Sequence, residues 1–230
     1  EGLFVYEPDA QGGYQPRREL YRFPEESWVF DLAILGHDIY ALTASALYVL
    51  PGAVTQREGL KPRRILWGQP RGHIQLGFHG LTIGPEGDLY CTMGDPLQHY
   101  GDFNRPDHWG HWTLFGGPDN APTPYTGAGA VLRCRPDGSG LQVVARGVFA
   151  SFGLTFDRHW QLFSSDNDRE AMPFRYVPAR MLHITPHADF GWPRGWMPSK
   201  TPERSDLLET LYEGLGRDAP VGMTFYDETF

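Results

Sequence analysis

A four-residue signature, glycine–apolar–threonine–apolar, occurs three times in this chain: Gly80-Leu81-Thr82-Ile83, Gly153-Leu154-Thr155-Phe156 and Gly222-Met223-Thr224-Phe225. The first two copies run into polar turns, Gly84-Pro85-Glu86-Gly87 and Asp157-Arg158-His159, and then into second apolar runs beginning at Leu89 and Gln161. Short apolar runs joined by tight polar turns read as antiparallel strand pairs. A unit of the same kind precedes them: Phe30–Ile34, a turn at Gly36-His37-Asp38, then Ile39–Leu42 and Ala46–Leu50. Gly129–Cys134 closes the second unit before the turn Pro136-Asp137-Gly138. A strand–turn–strand unit that recurs with varied insertions marks a repeat architecture, and the all-β solution of this kind is a β-propeller. A propeller has about four to eight blades, and three units plus the opening of a fourth are visible. Residues 1–230 therefore read as a single propeller domain or part of one, with a long insertion at 96–127.

Composition supports many turns. The 28 glycines and 20 prolines are spread along the chain, not gathered into one linker, and helical content should be low. The one amphipathic candidate is 203–212, where Leu207, Leu208 and Leu211 share a face. No apolar run reaches the ~20 residues of a membrane helix. The net charge of −8 argues against nucleic-acid binding, and Lys61-Pro62-Arg63-Arg64 is too short a basic run to reverse that. Cys91 and Cys134 fit no metal spacing; they read as two buried thiols or a cross-strand disulfide. The chain begins at Glu1 and enters a strand-like run at once, as a processed or excised piece would. The insertion is rich in His, Trp, Tyr and Asp, which suits a lid over one propeller face better than a linker.

Three groups of residues could carry chemistry. His79 and Asp95 sit at the start of one strand and the end of the next, so a hairpin brings them together. An aspartate that orients an imidazole makes a general base; a capped turn and a half-buried histidine make the plainer alternative. Asp166, Asn167, Asp168 and Glu170 place several hard oxygens on one loop, which suits Ca²⁺ or an ordinary acidic turn. His73, His79, His99, His108 and His111 show no recognised zinc spacing. The chain has no Gly-x-Gly-x-x-Gly, P-loop, Gly-x-Ser-x-Gly or Cys-x-x-Cys-His, which removes the usual nucleotide, serine-hydrolase and covalent-haem readings.

Longer segments resemble a known family. His79-Gly80-Leu81-Thr82-Ile83-Gly84-Pro85-Glu86-Gly87-Asp88-Leu89-Tyr90, followed by Met93-Gly94-Asp95, is similar to a segment of the soluble glucose/sorbosone dehydrogenase-like propellers. Gly129–Gly138 resembles their strand ending in Pro-Asp-Gly. Ser165–Asp168, Arg180 and Asp189-Phe190-Gly191-Trp192 resemble the membrane-bound dehydrogenase branch of planctomycete-type bacteria. The resemblance covers residues 30–230 and implies a six-bladed propeller, periplasmic or secreted, that oxidises a sugar or polyol with pyrroloquinoline quinone (PQQ) and Ca²⁺ and passes electrons to a cytochrome.

Carried over residue by residue, it implies His79 as the catalytic base supported by Asp95; with the acidic loop as the Ca²⁺ site, the expected cofactor residues are Asn167, Arg180 and Trp192 and the expected metal ligands Asp166, Asp168 and Glu170. Trp109, Trp112 and Trp192 could stack on a sugar ring. The chain departs from the pattern in two places. His79 stands closer to the Gly-Pro-Glu-Gly turn than the family's base does. The Arg-Asn pair of the quinone-binding members is replaced by Phe149-Ala150-Ser151-Phe152, which removes charge-assisted donors to the quinone. A non-catalytic carbohydrate- or protein-binding propeller and a Ca²⁺-dependent lactonase-type hydrolase are the alternatives.

Overall fold

The computed structural model describes residues 2–24, 28–68, 77–94, 114–116, 123–124, 129–167, 179–192, 215–216 and 219–226. Among them every regular element is a strand. An N-terminal hairpin, β1 (Gly2–Val5) and β2 (Arg18–Arg22), is followed by a first antiparallel blade of β3 (Val29–Leu35), β4 (Asp38–Thr43), β5 (Ala46–Leu50) and β6 (Arg63–Gly68). The second blade opens with β7 (Phe78–Ile83) and β8 (Leu89–Met93). Two short strands of the insertion, β9 (Leu114–Gly116) and β10 (Thr123–Pro124), then return to the outer edge of the first blade, where β9 pairs with β6. The second blade resumes with β11 (Ala130–Cys134) and β12 (Gln142–Arg146), and β13 (Ser151–Phe156), β14 (Leu162–Asp166) and β15 (Arg180–Ile184) form the third. The described part of the insertion thus extends a sheet edge; the rest of it, and the helix candidate 203–212, lie outside the described residues.

The alternation read from the sequence explains the packing, because successive strand residues point to opposite faces. In β11, Ala130 and Leu132 pack toward the first blade while Val131 packs toward the third. In β8, Leu89, Cys91 and Met93 face the first blade and Tyr90 the third. The second blade is therefore buried on both faces, and the core lies between sheets. The hairpin β1–β2 covers the remaining face of the first blade with Leu3 and Phe23 against Ala41 and Leu50. Cys91 pairs with Leu132 and Cys134 with Leu89, so the two cysteines are offset along the ladder; both are buried and not disulfide-bonded. Residues 219–226 carry no strand, although the third signature copy lies where a fourth inner segment belongs, beside β13.

Candidate functional site

The innermost strands β3, β7 and β13 all break their ladders near the same point, within a residue of the position that Asp31, Gly80 and Gly153 share. Val29 pairs with Thr43 and Asp31 with Leu42, which leaves Phe30 extra. Ser151 pairs with Asp166 and Gly153 with Ser165, which leaves Phe152 extra. In β7, His79 pairs with Thr92 and Thr82 with Tyr90, so Gly80 and Leu81 share the space of one residue. Such bulges re-aim side chains and recur beside sites. They bring residues 30–31, 79–81, 152–154 and 221–223 around one cleft of about 520 Å³.

The signature glycines are explained by this convergence. Gly80 has φ +57°, and a Cβ there would stand 2.9 Å from Leu154 Cβ in the next blade. A Cβ on Gly153 would stand 3.1 Å from Met223 Cβ. These two glycines let the next inner segment approach, so at the first two copies the signature is a packing requirement, while a Cβ on Gly222 would meet nothing within 4 Å.

His79 is 1% exposed. Its ring lies between Phe30, at 4.4 Å between centroids, and Phe152, at 3.8 Å, so one aromatic from each neighbouring blade fixes its plane. Thr92 Oγ1 lies within hydrogen-bonding reach of the His79 carbonyl (3.1 Å) and of the Ser151 carbonyl, which ties the strand carrying His79 to the third blade. An imidazole can accept or donate a proton near neutral pH, and this one lines the cleft. Asp95, its expected partner, lies outside the described residues, as do His73, His99, His108, His111, Trp109 and Trp112.

Asp31, which carries no sequence motif, also lines the cleft. Its Oδ1 accepts the Leu32 N–H and its Oδ2 the Leu81 N–H, each at 2.9 Å. The bulge explains the second bond: Leu81 has no cross-strand partner in its own hairpin, and the carboxylate from the adjacent blade takes its N–H. Burial pushes the Asp31 carboxyl above the usual aspartate value, against the lowering effect of these two bonds. The clue was the register itself, because Asp31 stands where the other units carry Gly80, Gly153 and Gly222.

The acidic segment looks different from its expected role. Asp166 is wholly buried. Oδ1 accepts the N–H groups of Phe149 (3.0 Å) and Ala150 (2.8 Å), and Oδ2 meets the Arg180 guanidinium at 2.5 Å. Arg180, equally buried, also donates from Nη1 to the Phe190 carbonyl at 2.9 Å. A Ca²⁺ ion at Asp166 would have to replace this guanidinium, and a cofactor contact by Arg180 would have to give up these bonds. Trp192 is 3% exposed and packs on Phe149 at 4.6 Å between centroids. Its backbone N–H binds the Gly147 carbonyl at 2.9 Å, while the Phe190 N–H binds that of Arg146 at 3.0 Å. The Asp-Phe-Gly-Trp turn thus docks the chain after β15 onto the end of β12.

Asn167 keeps polar capacity. It is 1% exposed, and its carboxamide has no hydrogen-bond partner among the described residues. Asp168 and Glu170 lie outside them, and no group of three potential metal ligands occurs among the described residues.

No protein-family model and no curated protein matches the chain. Solved structures do. The PQQ-bound aldose sugar dehydrogenase of Streptomyces coelicolor superposes with a TM-score of 0.55 at 22% identity, covering 91% of this chain and 61% of that one. A protein of Thermus thermophilus assigned as an oxidoreductase (glucose dehydrogenase) gives 0.64 at 20% identity, covering 92% and 66%. The holo form of the pyranose dehydrogenase PQQ domain of Coprinopsis cinerea gives 0.50 at 14% identity, covering 82% and 48%. The fold is that of the PQQ-dependent sugar-dehydrogenase β-propellers, and the chain spans between about half and two thirds of their length.

Two of these neighbours carry PQQ, which raises the question of whether the described residues suit it. A polycarboxylate quinone needs cationic or multiple N–H donors. Among the described residues lining the cleft, the charged side chain is Asp31, and no Lys or Arg is present. Arg180 is turned inward to Asp166, and Phe149-Ala150-Ser151-Phe152 stands where the resemblance expects an Arg-Asn pair. Apart from the Asn167 carboxamide, the described residues do not fit PQQ.

Proposed function

We propose that this propeller binds a sugar or polyol in the axial cleft. One observation carries the reading: the Asp31 carboxylate stands in a cleft whose other lining residues are His79 and aromatic, aliphatic and glycine residues of four inner segments. Few, fixed polar groups in an apolar cleft are what a small neutral ligand requires. The sugar-dehydrogenase names of the structural neighbours support the ligand class, while shared fold by itself does not carry chemistry.

Oxidation is the second reading, favoured by the buried, aromatic-clamped His79. In it Asn167 would contact a quinone and Asp168 and Glu170 would hold Ca²⁺, the quinone supplying the oxidant; His79 would accept a ligand hydroxyl proton, Asp95 would orient its imidazole, and a cytochrome outside the cytoplasm would be the electron acceptor. Binding stands first because the described residues lack the counter-charges of a quinone site.

Calorimetric titration of the purified chain with D-glucose and with sorbitol tests the proposal. Saturable uptake of at least one is expected, and uptake of neither sinks it. A parallel titration with PQQ, with and without Ca²⁺, separates the two readings. Dye reduction that His79→Ala abolishes would establish oxidation; sugar uptake without dye reduction leaves a binding propeller.

A further inference from the structure

We infer that Asp31 is the specificity-determining residue of the axial cleft: its carboxylate admits ligands that offer hydroxyl or cationic groups and turns away ligands that carry a carboxylate. The inference rests on the cleft being the binding site and deepens that reading by naming the group that selects.

Three observations carry it. The position is one at which the other three visible units hold glycine, so among these four the first blade is the one that places a side chain there. That side chain is pinned from two blades, by the Leu32 N–H of its own strand and the Leu81 N–H of the next. A carboxylate so held cannot swing aside, and each oxygen keeps a further lone pair as an acceptor. Third, no guanidinium or ammonium among the described lining residues offsets its charge, whereas Asp166 is sealed against Arg180. Burial raising the Asp31 carboxyl agrees with an under-solvated charge.

The chemistry follows. A ligand hydroxyl donates a charge-assisted hydrogen bond, and a cation gains Coulomb attraction in a poorly solvated cleft. A ligand carboxylate meets like charge with no counter-ion to relieve it. If Asp31 only capped the Leu81 N–H, its loss would change stability and leave ligand preference alone.

The test uses three probes, D-glucose, D-gluconate and tetramethylammonium, titrated into the wild-type chain, Asp31→Asn and Asp31→Gly. Circular dichroism checks each fold, and the glycine variant, which restores the residue of the other units, keeps the test open if the asparagine variant misfolds. The wild type should bind glucose at least about tenfold more tightly than gluconate and should take up tetramethylammonium. Either variant should weaken glucose about tenfold, bring gluconate within about threefold of glucose and lose the cation. Glucose uptake with unchanged probe preferences in both variants overturns the role of Asp31 and leaves the sugar reading standing. Cation uptake that depends on Asp31, without glucose uptake, keeps the role and removes the sugar reading. Uptake of none of the three by the wild type removes both.

Discussion

Two aspartates in this chain bind pairs of backbone N–H groups in or beside a bulged inner strand. Asp31 holds those of Leu32 and Leu81, and Asp166 holds those of Phe149 and Ala150. Asp166 also meets a guanidinium and is fully buried, with Ser151 Oγ a further neighbour at 3.3 Å. Asp31 meets no such cation among the described residues of its cleft, and it is only half-buried there. The same local bonding therefore yields a brace in one place and an available acceptor in the other. What separates them is the presence of a counter-charge: a buried charge already paired has nothing left to offer a ligand, and one left open must be met by whatever enters.

The comparison breaks most readily at the brace. Arg180→Met should cost about 3–5 kcal/mol, since it strands a buried carboxylate, and Asp166→Asn in addition should recover part of that loss. Urea unfolding measures both; a loss under about 1 kcal/mol for Arg180→Met would mean that Asp166 is not committed to the fold.

His79 gives the next largest effect. His79→Ala empties the space between Phe30 and Phe152 and should cost about 2–4 kcal/mol. His79→Phe refills it and should stay within about 1.5 kcal/mol of the wild type, while removing any proton acceptor. Equal losses in the two variants would show that the imidazole itself, and not its ring packing, stabilises the site.

The signature glycines come third. Gly153→Ala should cost about 1–3 kcal/mol through the clash with Met223 and Ser165. Gly222→Ala, where a Cβ meets nothing within 4 Å, should stay within about 0.5 kcal/mol. Matching losses at both positions would refute the account of the repeat as a packing requirement between inner segments.

The smallest effect belongs to Asp31 and depends on pH. Its folded carboxyl lies above the unfolded value, so the folded state holds its proton longer. As pH rises from the ordinary aspartate range through the folded value, the wild type should lose stability relative to Asp31→Asn; below that range this contribution is fully present. Parallel thermal melts of the two proteins across that window read the sign, and a wild type that gains on the variant as pH rises would contradict it.

Much of the scaffold was legible. The strands expected over 30–34, 39–42, 46–50, 79–83 and 129–134 form with boundaries moved by a residue or two, because alternation and turn chemistry are local. The inward packing of Cys91 and Cys134 followed from their apolar flanks. The candidate site was less legible. His79 was found as a histidine before a hairpin, yet its clamp comes from Phe30 and Phe152, 49 and 73 residues away in sequence. Asp166, Arg180 and Trp192 drew attention as polar and aromatic residues in a conspicuous order, and the fold uses them to bind its own backbone. Asp31 drew none, since a single acidic residue in an apolar run carries no motif.

By itself the sequence determined that this is an all-β repeat of short hairpins with a glycine at one recurring position. Those properties depend on neighbours within a few residues, where strand period and turn geometry act. Only the tertiary structure decided which acidic residue is closed and which is open. Asp166 finds its cation 14 residues away, and Asp31 finds its second N–H donor 50 residues away across a blade boundary. Charge compensation and burial are properties of those distant encounters, so no local pattern could have told the two aspartates apart.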